Sequence, residues 1–150
     1  MMLFTTPKDT INKYIDMLES CGFLPVAIDV VPCALFRCIQ RSFRREEDKD
    51  LASVFIDVAS RFTTVTIGSA RQITFTKQIP IAGQYLNQNI AQRLGIEPSE
   101  AMVLRAKLRN PRTRDTIQES TLEALTDAMN EVFEELAREI SMCFRYYAIT

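Results

Sequence analysis

The residues of this chain whose types and spacing could do chemistry are concentrated in Ile56-Asp57-Val58-Ala59-Ser60-Arg61-Phe62-Thr63-Thr64-Val65. A carboxylate at a strand end, a tight turn of small residues, and paired hydroxyls opening the next strand make a phosphate-facing hairpin. Backbone N–H groups of such a turn can point at phosphate oxygens, as in other anion-binding nests. Asp57 can hold a hydrated Mg²⁺, which prefers one or two carboxylates plus waters and phosphate oxygens. Ser60, Thr63 and Thr64 can add hydroxyl hydrogen bonds. The same residue types are common at turns because their side chains bond local backbone. On spacing alone, a turn-chemistry reading therefore stands beside the phosphate reading.

Other chemistries fall away on composition. The 150 residues contain no histidine, which excludes histidine-based triads, zinc–imidazole sites and imidazole proton shuttles. Cys21, Cys33, Cys38 and Cys143 form no Cys-x-x-Cys pair, and the spacing of Cys33 and Cys38 is a poor match to a metal site. Each sits among apolar neighbours, where cysteine acts as a small hydrophobe, and reduced thiols fit a cytosolic protein. Eighteen basic against nineteen acidic residues give a formal net charge of −1, which argues against a nucleic-acid binder. With 47% hydrophobic and 25% charged residues the chain is neither disordered nor a coiled coil. No apolar run reaches the roughly 20 residues that cross a bilayer, and no cleavable leader is visible.

The elements that must position the Asp57 turn follow from periodicity. Leu3-Phe4-Thr5-Thr6 reads as a short strand, with Thr6 as an N-cap and Pro7 at the first helical position. Ile11, Tyr14, Ile15 and Leu18 make one helical stripe, and Gly22 supplies the stop. Phe23 to Val31 reads as a strand covered on both faces, and Pro32 opens a helix to Phe43. The opening is thus strand–helix–strand–helix, an α/β pattern. The mixed-charge run 41–50 reads as a solvated linker between two units, 1–45 and 51–150.

Beyond it, Val54-Phe55-Ile56 reads as a buried strand. Val65 and Ile67 alternate with threonines, and Ile73, Phe75, Lys77 and Ile79 alternate with polar residues. These predict a three-stranded antiparallel meander with a hairpin at 68–71. A helix over 83–94 ends at Gly95, a short helix runs from Glu97 to about Arg109, 110–118 is a loop, and a long helix carries Leu122 through Tyr147 to the end. Its stripe of apolar residues is core packing.

This order of elements resembles the second half of the actin-like ATPase (ribonuclease H-like) fold, and among its members the PilM family of type IV pilus assembly. The resemblance covers nearly the whole chain. It is carried by the opening Pro-Lys-Asp helix, by Val26-Ala27-Ile28-Asp29-Val30-Val31-Pro32-Cys33-Ala34-Leu35, by the Asp57–Thr64 loop, by Phe75-Thr76-Lys77-Gln78-Ile79-Pro80-Ile81, and by Glu139-Ile140-Ser141 through Tyr146-Tyr147. The FtsA cell-division family and the cytoplasmic domain of the secretion protein GspL share parts of it.

The resemblance implies ATP and Mg²⁺ as cofactors, with Asp57, Ala59, Ser60, Thr63, Thr64 and Arg105 toward the nucleotide and Asp57 toward the metal. It also implies a partial fold. The first unit would be the end of one actin-like domain and the second part of another, with the family's first phosphate loop and its adenosine loop both outside the chain. Within the chain, Ala59 stands where the family has the glycine of an Asp-x-Gly turn. A Cβ there penalises positive φ and crowds a phosphate. Met102 and Arg105 stand at the Glu and Lys positions of the family's Ala-Glu-x-x-Lys helix. Met102 cannot accept from ribose hydroxyls, and Arg105 keeps charge but not lysine's geometry. Two functions follow as expectations. One is a non-catalytic scaffold of the pilus inner-membrane platform, cytoplasmic and peripheral to the membrane, meeting a PilN-like N-terminal peptide and other platform proteins. The other is an ATP-binding actin-like protein. Uncovered sheet edges lead us to expect self-association.

Overall fold

The structure, a computed structural model, describes residues 4–40, 51–69 and 72–149. Leu3, the charge run 41–50 and the hairpin residues Ala70 and Arg71, on which expectations were placed above, lie outside them. The chain falls into two compact units, Met1–Ser53 with Gly68–Thr74, and Val54–Ile67 with Phe75–Thr150.

The first unit contains α1 (Lys8–Ser20) and α2 (Val31–Gln40). Pro7 is the N-cap of α1, not its first helical residue, and no side chain caps it. Gly22 ends the helix at φ 82°, a conformation that costs glycine nothing. The strands expected at 3–6 and 23–31 are not formed: the described residues 4–7 and 23–30 have no regular structure, so the opening is helical and not strand–helix–strand–helix. The reason is physical. A strand exists only through a ladder to a neighbour, and no other strand among the described residues pairs with Phe23–Val30. Its Phe23, Leu24, Val26 and Ile28 stay exposed, Val26 at 90%. α1 likewise buries no residue. Phe36 is the buried large hydrophobe among the described residues of this unit. A Cβ added to Gly68 would lie 3.0 Å from its ring.

The expected meander is formed by β1 (Ser53–Val58), β2 (Thr63–Ser69) and β3 (Gln72–Ile79), in the order β1-β2-β3, most of it in the second unit. β2, in the middle, is buried on both faces from Thr63 to Gly68. Its threonine face is covered as well as its Val65 and Ile67 face, and Thr66 and Thr76 pair through their hydroxyls at 3.3 Å. β1 is not the buried strand expected. At the sheet edge it alternates, leaving Val54, Ile56 and Val58 exposed.

α3 (Gly83–Leu94) ends at Gly95 with φ 65°. α4 (Pro98–Arg109) starts on Glu97, whose N–H donates to the Glu100 carboxylate at 3.0 Å. The stretch expected to be wholly loop holds one helical turn, α5 (Pro111–Arg114), because Pro111 follows a capping Asn110 whose side chain accepts from the Arg112 N–H. α6 (Glu119–Ile149) runs 31 residues. Its Leu125, Ala128, Val132 and Cys143 join Val65, Ile79, Leu86 and Ile90 in one core, each large aliphatic among them worth about 1.5–3 kcal/mol. Phe133 and Phe144, expected in that stripe, are exposed. Of the cysteines, Cys143 is buried and Cys33 half-buried, but Cys21 and Cys38 are exposed and do not act as core residues.

α6 also carries acids at four-residue steps that meet partners from β3 and α3. Arg93 reaches Glu131 (2.6 Å) and Asp127 (3.4 Å), Tyr85 reaches Glu135 (2.9 Å), and Lys77 reaches Glu139 (3.0 Å). The ion pairs among them, exposed in this way, contribute about 0–1 kcal/mol each. Their even spacing sets the register of α6 more than its stability.

Candidate functional site

Asp57 is the penultimate residue of β1 and half-buried, on the sheet face opposite Ile56 and Val58. The chain then turns through Ala59 to Phe62. The Ala59 N–H donates to the Phe62 carbonyl at 3.2 Å, closing the turn. No non-glycine residue among those described has positive φ, so Ala59 fits this turn without the left-handed conformation that a glycine would allow.

The turn is docked on the start of α3. The Gly83 N–H donates to the Ala59 carbonyl at 3.1 Å, and the Gln84 N–H donates to the Ser60 carbonyl at 2.7 Å. A helix leaves its first N–H groups without intrahelical partners, and Ala82, the N-cap of α3, offers no side-chain acceptor. The turn's carbonyls do the capping instead. Thr63 fastens the other side: it is fully buried, and its Oγ1 donates to the Ile81 carbonyl at 2.6 Å. Thr64 is buried beside it at 6% exposure, whereas Ala59 and Ser60 are exposed.

Arg105 approaches from α4. Its Nη1 donates to the Gly83 carbonyl at 3.1 Å and to Asn87 Oδ1 at 2.6 Å. Both acceptors are neutral, and Arg105 forms no salt bridge among the described residues. Burial lowers its pKa from the usual guanidinium range, since desolvation disfavours the charged form. Beside it lies a largely apolar cavity of about 120 Å³, lined by Val58, Gly83, Leu86, Arg105 and Phe133 among others. Met102 is exposed one helical turn before Arg105, and both line a second groove.

The structure thus brings Ala59, Ser60, Thr63 and Arg105 together around the first turn of α3. What they offer a nucleotide is limited. Two N–H groups at the start of α3 are held by carbonyls, and the Thr63 hydroxyl is committed to backbone. Ile81, Gly83, Gln84 and Asn87 were not singled out in the sequence. The signal was there, though. A helix opening Ala82-Gly83 without a Ser, Thr, Asp or Asn cap must have its N–H groups met from elsewhere.

Comparison with known proteins completes these observations. The family described as type IV pilus assembly protein PilM matches residues 1–148. Among solved structures, a chain of the "PilM-PilN type IV pilus biogenesis complex" superposes with a TM-score of 0.75 at 17% identity, over 95% of this chain and 38% of that one. The present chain therefore spans well under half the length of that relative. No curated protein matches it significantly.

Proposed function

The chain belongs to the PilM family of type IV pilus assembly proteins and has part of its actin-like fold; on that premise we propose that it is a non-catalytic scaffold component of a pilus assembly platform. The observation that supports the non-catalytic half is the capping of α3 by the Ala59 and Ser60 carbonyls, which occupies two N–H groups of a helix N-terminus beside the turn. In this reading residues 1–45 are the end of a first actin-like domain and 51–150 part of a second. The protein works in the cytoplasm, peripheral to the inner membrane. No helix among the described residues is long and apolar enough to cross a membrane, which is compatible with that placement.

The partner of this reading is a PilN-like peptide together with other platform proteins. It is supported by the complex in which the structural relative was solved. The exposed run Phe23–Val30 and the edge of β1 support self-association as well. The scaffold reading is tested by titrating Mg-ATP into the chain by calorimetry. We expect no saturable binding below about millimolar, or −4 kcal/mol. A pull-down with a PilN-like N-terminal peptide should retain the chain, and failure to do so would count against it.

One observation favours a second reading, ATP binding of the FtsA or GspL kind. The Arg105 charge meets no acid among the described residues, and an anion would be welcome there. Asp57 would then stand by Mg²⁺, with Ser60, Thr63 and Thr64 toward phosphate. Micromolar Mg-ATP binding that is abolished by Asp57→Ala would establish this reading over the first.

A further inference from the structure

Between α4, α5 and α6 the second unit carries an open groove in two stretches, of about 430 and 590 Å³, which share Leu108 and Arg109. Its floor is apolar, with Met102, Leu108, Leu122 and Met129, and Met102 is 56% exposed. Arg105, Arg109 and Arg114 line the groove, and the segment that carries them, residues 105–114, contains five basic side chains and no acid, in a chain whose net charge is −1. Lys107, Arg109, Arg112 and Arg114 form no salt bridge among the described residues. The acids that line the groove, Asp115 and Glu119, lie in its α5–α6 stretch. The C-terminal dipole of α4 accounts for Lys107 and Arg109, but Arg112 and Arg114 lie beyond that helix.

We propose that this groove docks an acidic amphipathic peptide segment of a partner protein, its apolar side chains on Met102 and Leu108 and its carboxylates on Arg109 and Arg114. Charge complementarity selects this occupant. A flat anionic bilayer would meet the cations but leave the recessed floor empty. An apolar floor within a charged rim is the groove form that takes a helical ligand through anchors at i, i+3, i+4 and i+7. The proposal rests neither on the Asp57 turn nor on the pilus reading.

The test is fluorescence anisotropy on the whole 150-residue chain. The probe is a labelled peptide of about twelve residues, roughly three helical turns, with Leu at i, i+3, i+4 and i+7 and Glu elsewhere. The expected result is saturable micromolar binding that weakens as salt rises. The pair Arg109→Glu and Arg114→Glu should weaken it about tenfold or more, the rim charges acting at the upper end of surface pairing. Met102→Asp should weaken it independently through the floor, and circular dichroism should show both variants folded. The proposal is overturned by affinity weaker than millimolar, by equal binding of the peptide with Lys in place of Glu, or by unchanged affinity in the folded double variant. Tighter binding to phosphatidylserine vesicles or to a single-stranded oligonucleotide than to the peptide would overturn it too.

Discussion

Thr63→Val is the substitution that separates structure from ligand binding in the Asp57 turn. Valine keeps the shape and the buried β-branched methyl but removes the hydroxyl that donates to the Ile81 carbonyl at 2.6 Å. The site is fully buried, so water cannot replace the lost donor. Leaving a buried acceptor without its partner costs about 1–3 kcal/mol. For a chain of this size each kcal/mol lowers Tm by about 2–4 °C. Thr63→Ser makes the complementary change, keeping the donor and deleting a methyl worth about 0.8 kcal/mol. Urea unfolding monitored by circular dichroism, with the slope unchanged between variants, should therefore rank wild type above Ser and Ser above Val. If Thr63→Val unfolds within about 0.5 kcal/mol of wild type, the range of a neutral surface change, the bond to Ile81 is not what holds the turn.

The remaining predictions test other joints of the fold. Gly68→Ala places a Cβ 2.5 Å from the Gln72 carbonyl oxygen and 2.9 Å from the Ile73 Cα. Those atoms are backbone and cannot swing aside, so denaturant unfolding should show a loss of about 1–3 kcal/mol. The hydrogen bond from Tyr85 to the Glu135 carboxylate, with burial and that same charge behind it, raises the phenol above its usual range. The folded chain holds that proton more tightly than the unfolded one, so the contribution to stability is complete below pH about 10 and is lost as pH rises through the higher folded value. Absorbance titration of the four tyrosines should show a late component that Tyr85→Phe removes. Burial likewise pushes the Cys143 thiol up, so a thiol reagent should label exposed Cys21 and Cys38 in the native protein and Cys143 only on unfolding.

Local chemistry was enough for part of this protein. α3 runs from Gly83 to Leu94 and stops at Gly95 as its apolar spacing and glycine demand, and the meander and α6 follow from periods of two and of 3.6 residues. Such features are decided within a few neighbouring residues, so sequence alone determines them. Family membership was legible for a related reason, because many weak local patterns in one order are specific together.

The tertiary structure decided what depends on a distant partner. Phe23 to Val30 has every propensity of a strand and forms none, because a strand is made by its neighbour. The threonine face of β2 is buried because the sheet around it is covered, which alternation cannot reveal. Thr63 donates to Ile81, eighteen residues on, and the Asp57 turn caps α3 through Ala59 and Ser60 carbonyls. Backbone groups are the same in every residue, so no pattern of side chains announces which of them will meet; only the folded path of the chain does.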